Sequence, residues 1–230
     1  MGRITGFDAV RRMRGGKLRL AAAIFCAAAS VAANAAGSVK VVTREEKGQP
    51  VPDAVASLVA ADGPAPALAP PDAPAEIVQK DQDFHPLVTA IVVGTRVAFP
   101  NRDNVQHHVY SVSKAKRFEI PLYIGDSKAI LFDKPGIVTL GCNIHDWMVA
   151  YVDVLATPYF ATTGADGTGT IGGLPPGKYR LEIWHPRLAA AVERDVVIGE
   201  HDDTTQVISV MLRPDRHIRR APESGGAGYR

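Results

Sequence analysis

The chain has 230 residues, 46% of them hydrophobic and 22% charged, with a formal net charge of +2. That balance excludes a disordered tail protein and a collagen-like repeat, and two cysteines are too few for a disulfide-built scaffold. Six of the basic residues (Arg3, Arg11, Arg12, Arg14, Lys17 and Arg19) fall in residues 1–35 against a single acid, Asp8. The remainder is slightly acidic and offers no basic stripe for nucleic acid.

Residues 11–19 form a cationic stretch, and residues 20–31 a short alanine-rich apolar run. Ala33-Asn34-Ala35 is a small-x-small cleavage site. The apolar run falls below the roughly eighteen residues that a membrane span requires. The reading is therefore a cleaved signal peptide over residues 1–35 and a periplasmic protein. Phe25 before Cys26 is too large for a lipid-attachment site, and Arg11-Arg12 leaves the twin-arginine route as an alternative. After cleavage one cysteine remains, Cys142. An unpaired thiol in an oxidising compartment calls for burial, a partner chain or a bound group.

From residue 38 the pattern is strands joined by turns. Val39, Val41 and Thr43 alternate with Lys40, Val42 and Arg44, and residues 54–60 form a second apolar strand. A Pro/Ala linker follows over residues 62–75. Further strands are expected at residues 88–93, 96–99, 105–112, 129–132, 137–142 and 148–155, and a last block at 169–171, 178–184, 191–198 and 205–212. No helical period runs far enough to compete, so the fold class is all-β, with β-sandwich architecture. Residues 214–230 are a polar, Gly-rich tail.

The chemistry concentrates in Gly141-Cys142-Asn143-Ile144-His145-Asp146-Trp147-Met148. This loop offers a thiolate, an imidazole and a thioether at C-x2-H-x2-M spacing between two strands. Val138, Leu140 and Cys142 share one face of the incoming strand, and Met148, Ala150, Val152 and Val154 share one face of the outgoing strand. Both sulfurs can point inward, with His145 at the tip. One further nitrogen would complete a His2Cys plane with an axial Met, the ligand set of a blue-copper electron-transfer site. Zinc accepts Cys and His but has little use for a thioether. A Cys/His nucleophilic site lacks an identifiable orienting group or oxyanion donors.

Phe99-Pro100-Asn101 followed by His107-His108-Val109, about forty residues before the C-x2-H-x2-M loop, resembles a cupredoxin of the plastocyanin/amicyanin kind over residues 76–155. The resemblance implies one type 1 copper held by His107, Cys142, His145 and Met148. The family usually has Asn after the first ligand, where this chain has His108, so His108 is the competing ligand. Since the two face opposite sides of a strand, only one can be inward. The resemblance also implies a non-enzymatic carrier of single electrons. Its partners would be transient redox proteins, such as a c-type cytochrome or a periplasmic dehydrogenase. Trp147 belongs either to a docking patch or to the core.

The segment from Asp166-Gly167 through Leu174-Pro175-Pro176-Gly177-Lys178-Tyr179-Arg180-Leu181 resembles carboxypeptidase-regulatory-like (transthyretin-like) β-sandwiches. Gly169 stands where that pattern usually has an aromatic. The matching opening hairpin, Gly48-Gln49-Pro50-Val51 to Leu58, lies about a hundred residues earlier. Residues 37–61 and 156–213 are therefore expected to form one discontinuous sandwich with the cupredoxin inserted; alternatively, residues 37–61 are extra strands of the cupredoxin. Gly172 to Lys178 spells the start of a phosphate loop, but Tyr179 replaces the magnesium-binding hydroxyl and two prolines remove amide donors. The motif order as a whole resembles cupredoxin-like proteins labelled methylamine utilisation proteins, which implies a link to amine oxidation. Copper delivery or storage, and an interaction module with a structural metal, are the competing functions. Only four methionines are present, against the several Met clusters that storage would favour.

Overall fold

A computed structural model describes residues 36–63 and 67–215; the expected signal peptide and most of the expected tail lie outside the described residues. Every regular element among them is a strand. In chain order they are β1 (Gly37–Glu45), β2 (Val55–Ala60), β3 (Ala75–Glu76), β4 (Val78–Lys80), β5 (Asp83–His85) and β6 (Val88–Val92). Next come β7 (Arg96–Ala98), β8 (His107–Val112), β9 (Arg117–Tyr123), β10 (Ile130–Leu131), β11 (Gly136–Gly141) and β12 (Val149–Leu155). The last are β13 (Phe160–Thr162), β14 (Thr168–Leu174), β15 (Gly177–Trp184), β16 (Val192–Ile198) and β17 (Asp203–Val210).

The strands pack around two separate apolar cores. The first lies between the sheets β14-β1-β17 and β13-β2-β15-β16. Strand alternation fills it: Val39 and Val41 of β1 and Tyr179, Leu181 and Ile183 of β15 point in, while Lys40, Arg180 and Glu182 do not. Both ends of the described chain contribute to this core. β1 pairs in parallel with β17, and β2 lies antiparallel between β13 and β15. At its edge, Gly167 (φ +70°) carries a left-handed turn, where an added Cβ would sit 2.6 Å from the Thr43 carbonyl oxygen.

The second core is held by the sheet β6-β12-β11-β8-β9, the sheet β10-β7-β3 and the β4–β5 hairpin. Phe84, Phe99, Phe132, Val138, Leu140 and Val152 are its buried centre, and Cys142 and Met148 belong to the same cluster. The two halves meet where the outer face of β12 approaches β15, with the rings of Tyr151 and Trp184 5.9 Å apart.

Five strands, β3, β4, β5, β9 and β13, escaped the sequence reading. Four are two or three residues long and too short to show a period. In β9, Pro121 interrupts the pattern; the strand tolerates it because it is the sheet edge, where no ladder donor is needed. A register shift opposite His107–Val109 puts an extra β9 residue beside the head of β8.

Candidate metal centre

The head of β8 and the β11–β12 loop form the walls of the site. β11 and β12 pair in continuous antiparallel register from Gly136↔Val154 to Gly141↔Val149, so the loop between them has a fixed base. Gly141 pairs with Tyr110 of β8, and the Tyr110 ring lies 3.0 Å from where a Gly141 Cβ would be. That close approach draws β8 and the cysteine-bearing strand end together. The loop closes through the Met148 amide, which donates to the His145 carbonyl at 3.0 Å.

Three potential ligands meet here. One ligand atom each from His107, Cys142 and His145 lie within 4.8 Å of one another. His107 Nδ1 is 3.1 Å from His145 Nδ1, and Cys142 Sγ is 3.7 Å from the same His145 nitrogen. His107 is fully buried, Cys142 is 4% exposed and His145 is partly exposed. Met148 is 1% exposed and packs in the same cluster as Cys142. His108 points elsewhere: its Nε2 sits 2.8 Å from Glu119 Oε1, and its ring lies against Tyr110.

His107 is held from behind. Its Nε2 lies 2.7 Å from Asp103 Oδ2, and the same carboxylate accepts the amides of Asp81 (2.7 Å) and Gln82 (2.8 Å). Burial raises the Asp103 pKa, but the His107 hydrogen bond and the two amides outweigh it, so the carboxyl lies below its ordinary range and stays ionised. An ionised carboxylate only accepts, so His107 Nε2 carries the proton and Nδ1 presents a lone pair to the cluster.

The two amides that hold Asp103 come from the turn between β4 and β5. Asp81 and Gln82 both adopt φ near +57°, the pattern of a type I′ hairpin turn. The Gln82 carbonyl accepts the Trp147 indole N–H at 2.9 Å, tying the same turn to the cysteine loop. Trp147 is partly buried against the second core. Asn101, 2% exposed, organises the approach to β8 by donating to the carbonyls of Val105 and Tyr123 and accepting from the Asp103 amide. The sequence showed Asn101 and Asp103 within a motif but gave neither a task. The spacing Asp103-x3-His107 was the available signal for the carboxylate behind the imidazole.

The donor set fits a soft or borderline ion. Metal–nitrogen bonds of about 2.0 Å and a metal–sulfur bond of about 2.3 Å put neighbouring ligand atoms roughly 3–4 Å apart. The separations of His145 Nδ1 from His107 Nδ1 (3.1 Å) and from Cys142 Sγ (3.7 Å) fall in that range, and all three ligand atoms lie within 4.8 Å of one another. Two imidazole nitrogens and a thiol sulfur converge beside the second apolar core.

No family model matches the chain, and no curated protein does. Among solved structures, the chain is similar to a purple cupredoxin from Nitrosopumilus maritimus, with 26% identity, 35% of this chain and 99% of that chain covered, and a TM-score of 0.32. It is also similar to a reduced tryptophan-to-tyrosine mutant of amicyanin, at 18% identity over 43% of this chain and 99% of that one, with a TM-score of 0.34. An oxidised proline-to-alanine mutant of amicyanin gives 20% identity, coverage of 45% and 99%, and a TM-score of 0.34. The likenesses span less than half of the chain, and the functional reading rests on the side chains.

Proposed function

We propose that the protein binds one type 1 copper ion, which His107, Cys142, His145 and Met148 would hold, and carries single electrons between redox partners. The convergence of His107, Cys142 and His145 within 4.8 Å carries this reading. A thiolate, two imidazoles and a thioether suit copper in both of its oxidation states better than they suit zinc. Copper would supply a one-electron couple. The protein's part is to hold the ligand side chains in one geometry, through the paired strands beneath the loop and the Asp103 carboxylate behind His107. The apolar shell keeps water from Cys142. His145, partly exposed, is the edge through which a partner would reach the centre. Bond-breaking chemistry then belongs to the partners, for which a c-type cytochrome or a periplasmic dehydrogenase is suited.

The cationic stretch and alanine-rich run within residues 1–35 support export to a periplasm. Among the described residues no helix is long and apolar enough to cross a membrane. The resemblance of the motif order to cupredoxin-like proteins labelled methylamine utilisation proteins supports amine oxidation as the electron source. We assign residues 76–155 to the cupredoxin unit, and residues 37–61 with 156–213 to a carboxypeptidase-regulatory-like sandwich around it. The separate apolar cores support that division.

The test is to add Cu(II) to the metal-free protein and record visible and electron-paramagnetic spectra. An intense thiolate-to-copper band that disappears in Cys142→Ser is expected. Absence of the band in the unmodified protein, or its survival in Cys142→Ser, overturns the proposal.

A further inference from the structure

The edges of the sheets are not built alike. β16, at the edge of the sheet β13-β2-β15-β16, carries Glu193, Arg194 and Asp195 in succession. β9, at the edge of the sheet β6-β12-β11-β8-β9, carries Arg117, Glu119 and Pro121. Charges and proline at an edge discourage another strand from adding there. β17, at the edge of the sheet β14-β1-β17, has neither: residues 204–212 contain no charge, proline or glycine. Thr204, Thr205, Val207, Ile208 and Val210 are β-branched, the residue type that favours strand pairing. The register of β17 with β1 runs without a bulge from Ser38↔Asp203 to Glu45↔Val210, and among the described residues β17 pairs with no other strand.

Two contacts show which way the peptide groups of this edge point. The Asp202 carbonyl accepts the Ser38 amide at 2.9 Å, so even-numbered residues of β17 face β1. Val207 is odd-numbered and faces away, and its carbonyl takes the Arg194 side chain of β16 at 3.2 Å. That bond leaves a second lone pair on the oxygen. Thr205, Val207 and Ser209 thus turn their N–H and C=O groups to the outer side of the sheet edge. Their side chains are exposed, Val207 at 55%, while Ile208 and Val210 enter the first core.

A second copy of β17, turned about a twofold axis at Val207, meets these groups in the register that a ladder needs. Each Val207 then faces the other, and each Thr205 faces a Ser209. All are hydrogen-bonding pairs, so about six N–H···O=C bonds close the joint. Val42 of β1 lies beside Val207, so the two copies set Val42-Val207-Val207-Val42 in one row. No like charges oppose each other, whereas the same joint through the middle of β16 would oppose two Asp195 carboxylates. We infer that the protein forms a twofold dimer by antiparallel pairing of β17, which merges two three-stranded sheets into a single sheet β14-β1-β17-β17-β1-β14. The joint is isologous: it uses up both β17 edges, so assembly stops at two copies. No residue of the metal centre takes part.

The experiment is sedimentation velocity on the metal-free full chain at about 100 µM, with amide hydrogen exchange followed by nuclear magnetic resonance. A dimer is expected, with the Thr205, Val207 and Ser209 amides protected from exchange and losing that protection on dilution. Val207→Lys sets two like charges face to face at an exposed position. It should raise the dissociation constant at least about tenfold and expose those three amides. The Gln206 and Ile208 amides, which face β1, should stay protected and so show that the variant is folded. Val197→Lys on β16, at a position 68% exposed, should leave the dimer intact. A monomeric parent chain overturns the inference, as does a dimer that survives Val207→Lys or is lost equally in Val197→Lys. A parent dimer whose Thr205, Val207 and Ser209 amides exchange freely overturns it without any variant. Metal-free protein is used, so the outcome is independent of copper binding.

Discussion

Asp153 makes the fold weaker than it could be at neutral pH. It lies on β12, on the face turned away from the second core, and is 5% exposed. Burial, reinforced by the nearby Glu182 charge, raises its pKa from 3.8 to about 6. Between those values the folded protein binds a proton that the unfolded chain releases, so stability falls as pH rises through this window. Above about pH 6 the penalty is fully present, and below about pH 4 it is largely gone. At about 1.4 kcal/mol per unit, the buried charge costs about 3 kcal/mol at pH 8 and about half a kcal/mol at pH 4. Asp153→Asn keeps the shape and removes the charge. It should raise the unfolding midpoint of the metal-free protein by about 6–12 °C at pH 8 and by no more than about 2 °C at pH 4. Comparing variant and parent at each pH cancels the titration of every other group. An equal gain at both pH values, or a loss at pH 8, would show that Asp153 is not held as a strained anion. Glu182→Gln provides a further check, since it should shrink the benefit of Asp153→Asn at pH 8.

The ligand assignment separates two neighbouring histidines. His107→Ala should abolish the copper–thiolate band, whereas His108→Ala should leave the band and remove only the contact with Glu119; the reverse outcome in visible spectra would reassign the ligand. Asp103→Asn should weaken metal binding by about 10–100-fold in competitive titration, because the charge that fixes the His107 ring is lost. Gly167→Ala should cost about 2–3 kcal/mol in chemical denaturation, since its Cβ meets the Thr43 carbonyl at 2.6 Å and φ is +70°. An unchanged midpoint would refute the close approach.

Long strands with strict alternation could be read in advance. β1, β12 and β15 each bury every second residue against a core, and the period survives in the sequence as Val39-x-Val41, Ala150-x-Val152 and Tyr179-x-Leu181. The all-β class followed from these. β9 was illegible because the core covers one face of an edge strand only partly, and Pro121 breaks its pattern. At the site, Cys142, His145 and Met148 could be grouped because they are local and chemically unusual. The other half of the centre depends on residues distant in sequence. Nothing local to Lys80-Asp81-Gln82-Asp83 says that its amides will meet Asp103, since that encounter requires the β4–β5 hairpin to be set against the approach to β8.

That hairpin turn joins the two segments a metal centre must keep in register. Its amides fix Asp103, which orients His107; its carbonyl fixes Trp147, which sits between His145 and Met148 in the cysteine loop. A loop carrying three candidate ligands could shift relative to β8 if only its own base held it. Here the movement would break the indole hydrogen bond on one side and strain the Asp103 contacts on the other. Two φ-positive residues thereby restrain ligands separated by 38 positions of sequence. The strain of placing Asp81 and Gln82 in the left-handed region is modest because it falls in a two-residue hairpin, where that conformation matches the twist of the flanking strands. The same geometry turns successive N–H groups toward one carboxylate. Rigidity at the centre therefore comes from backbone conformation as well as from packing, and a substitution at this turn should disturb the ligands without touching either of them.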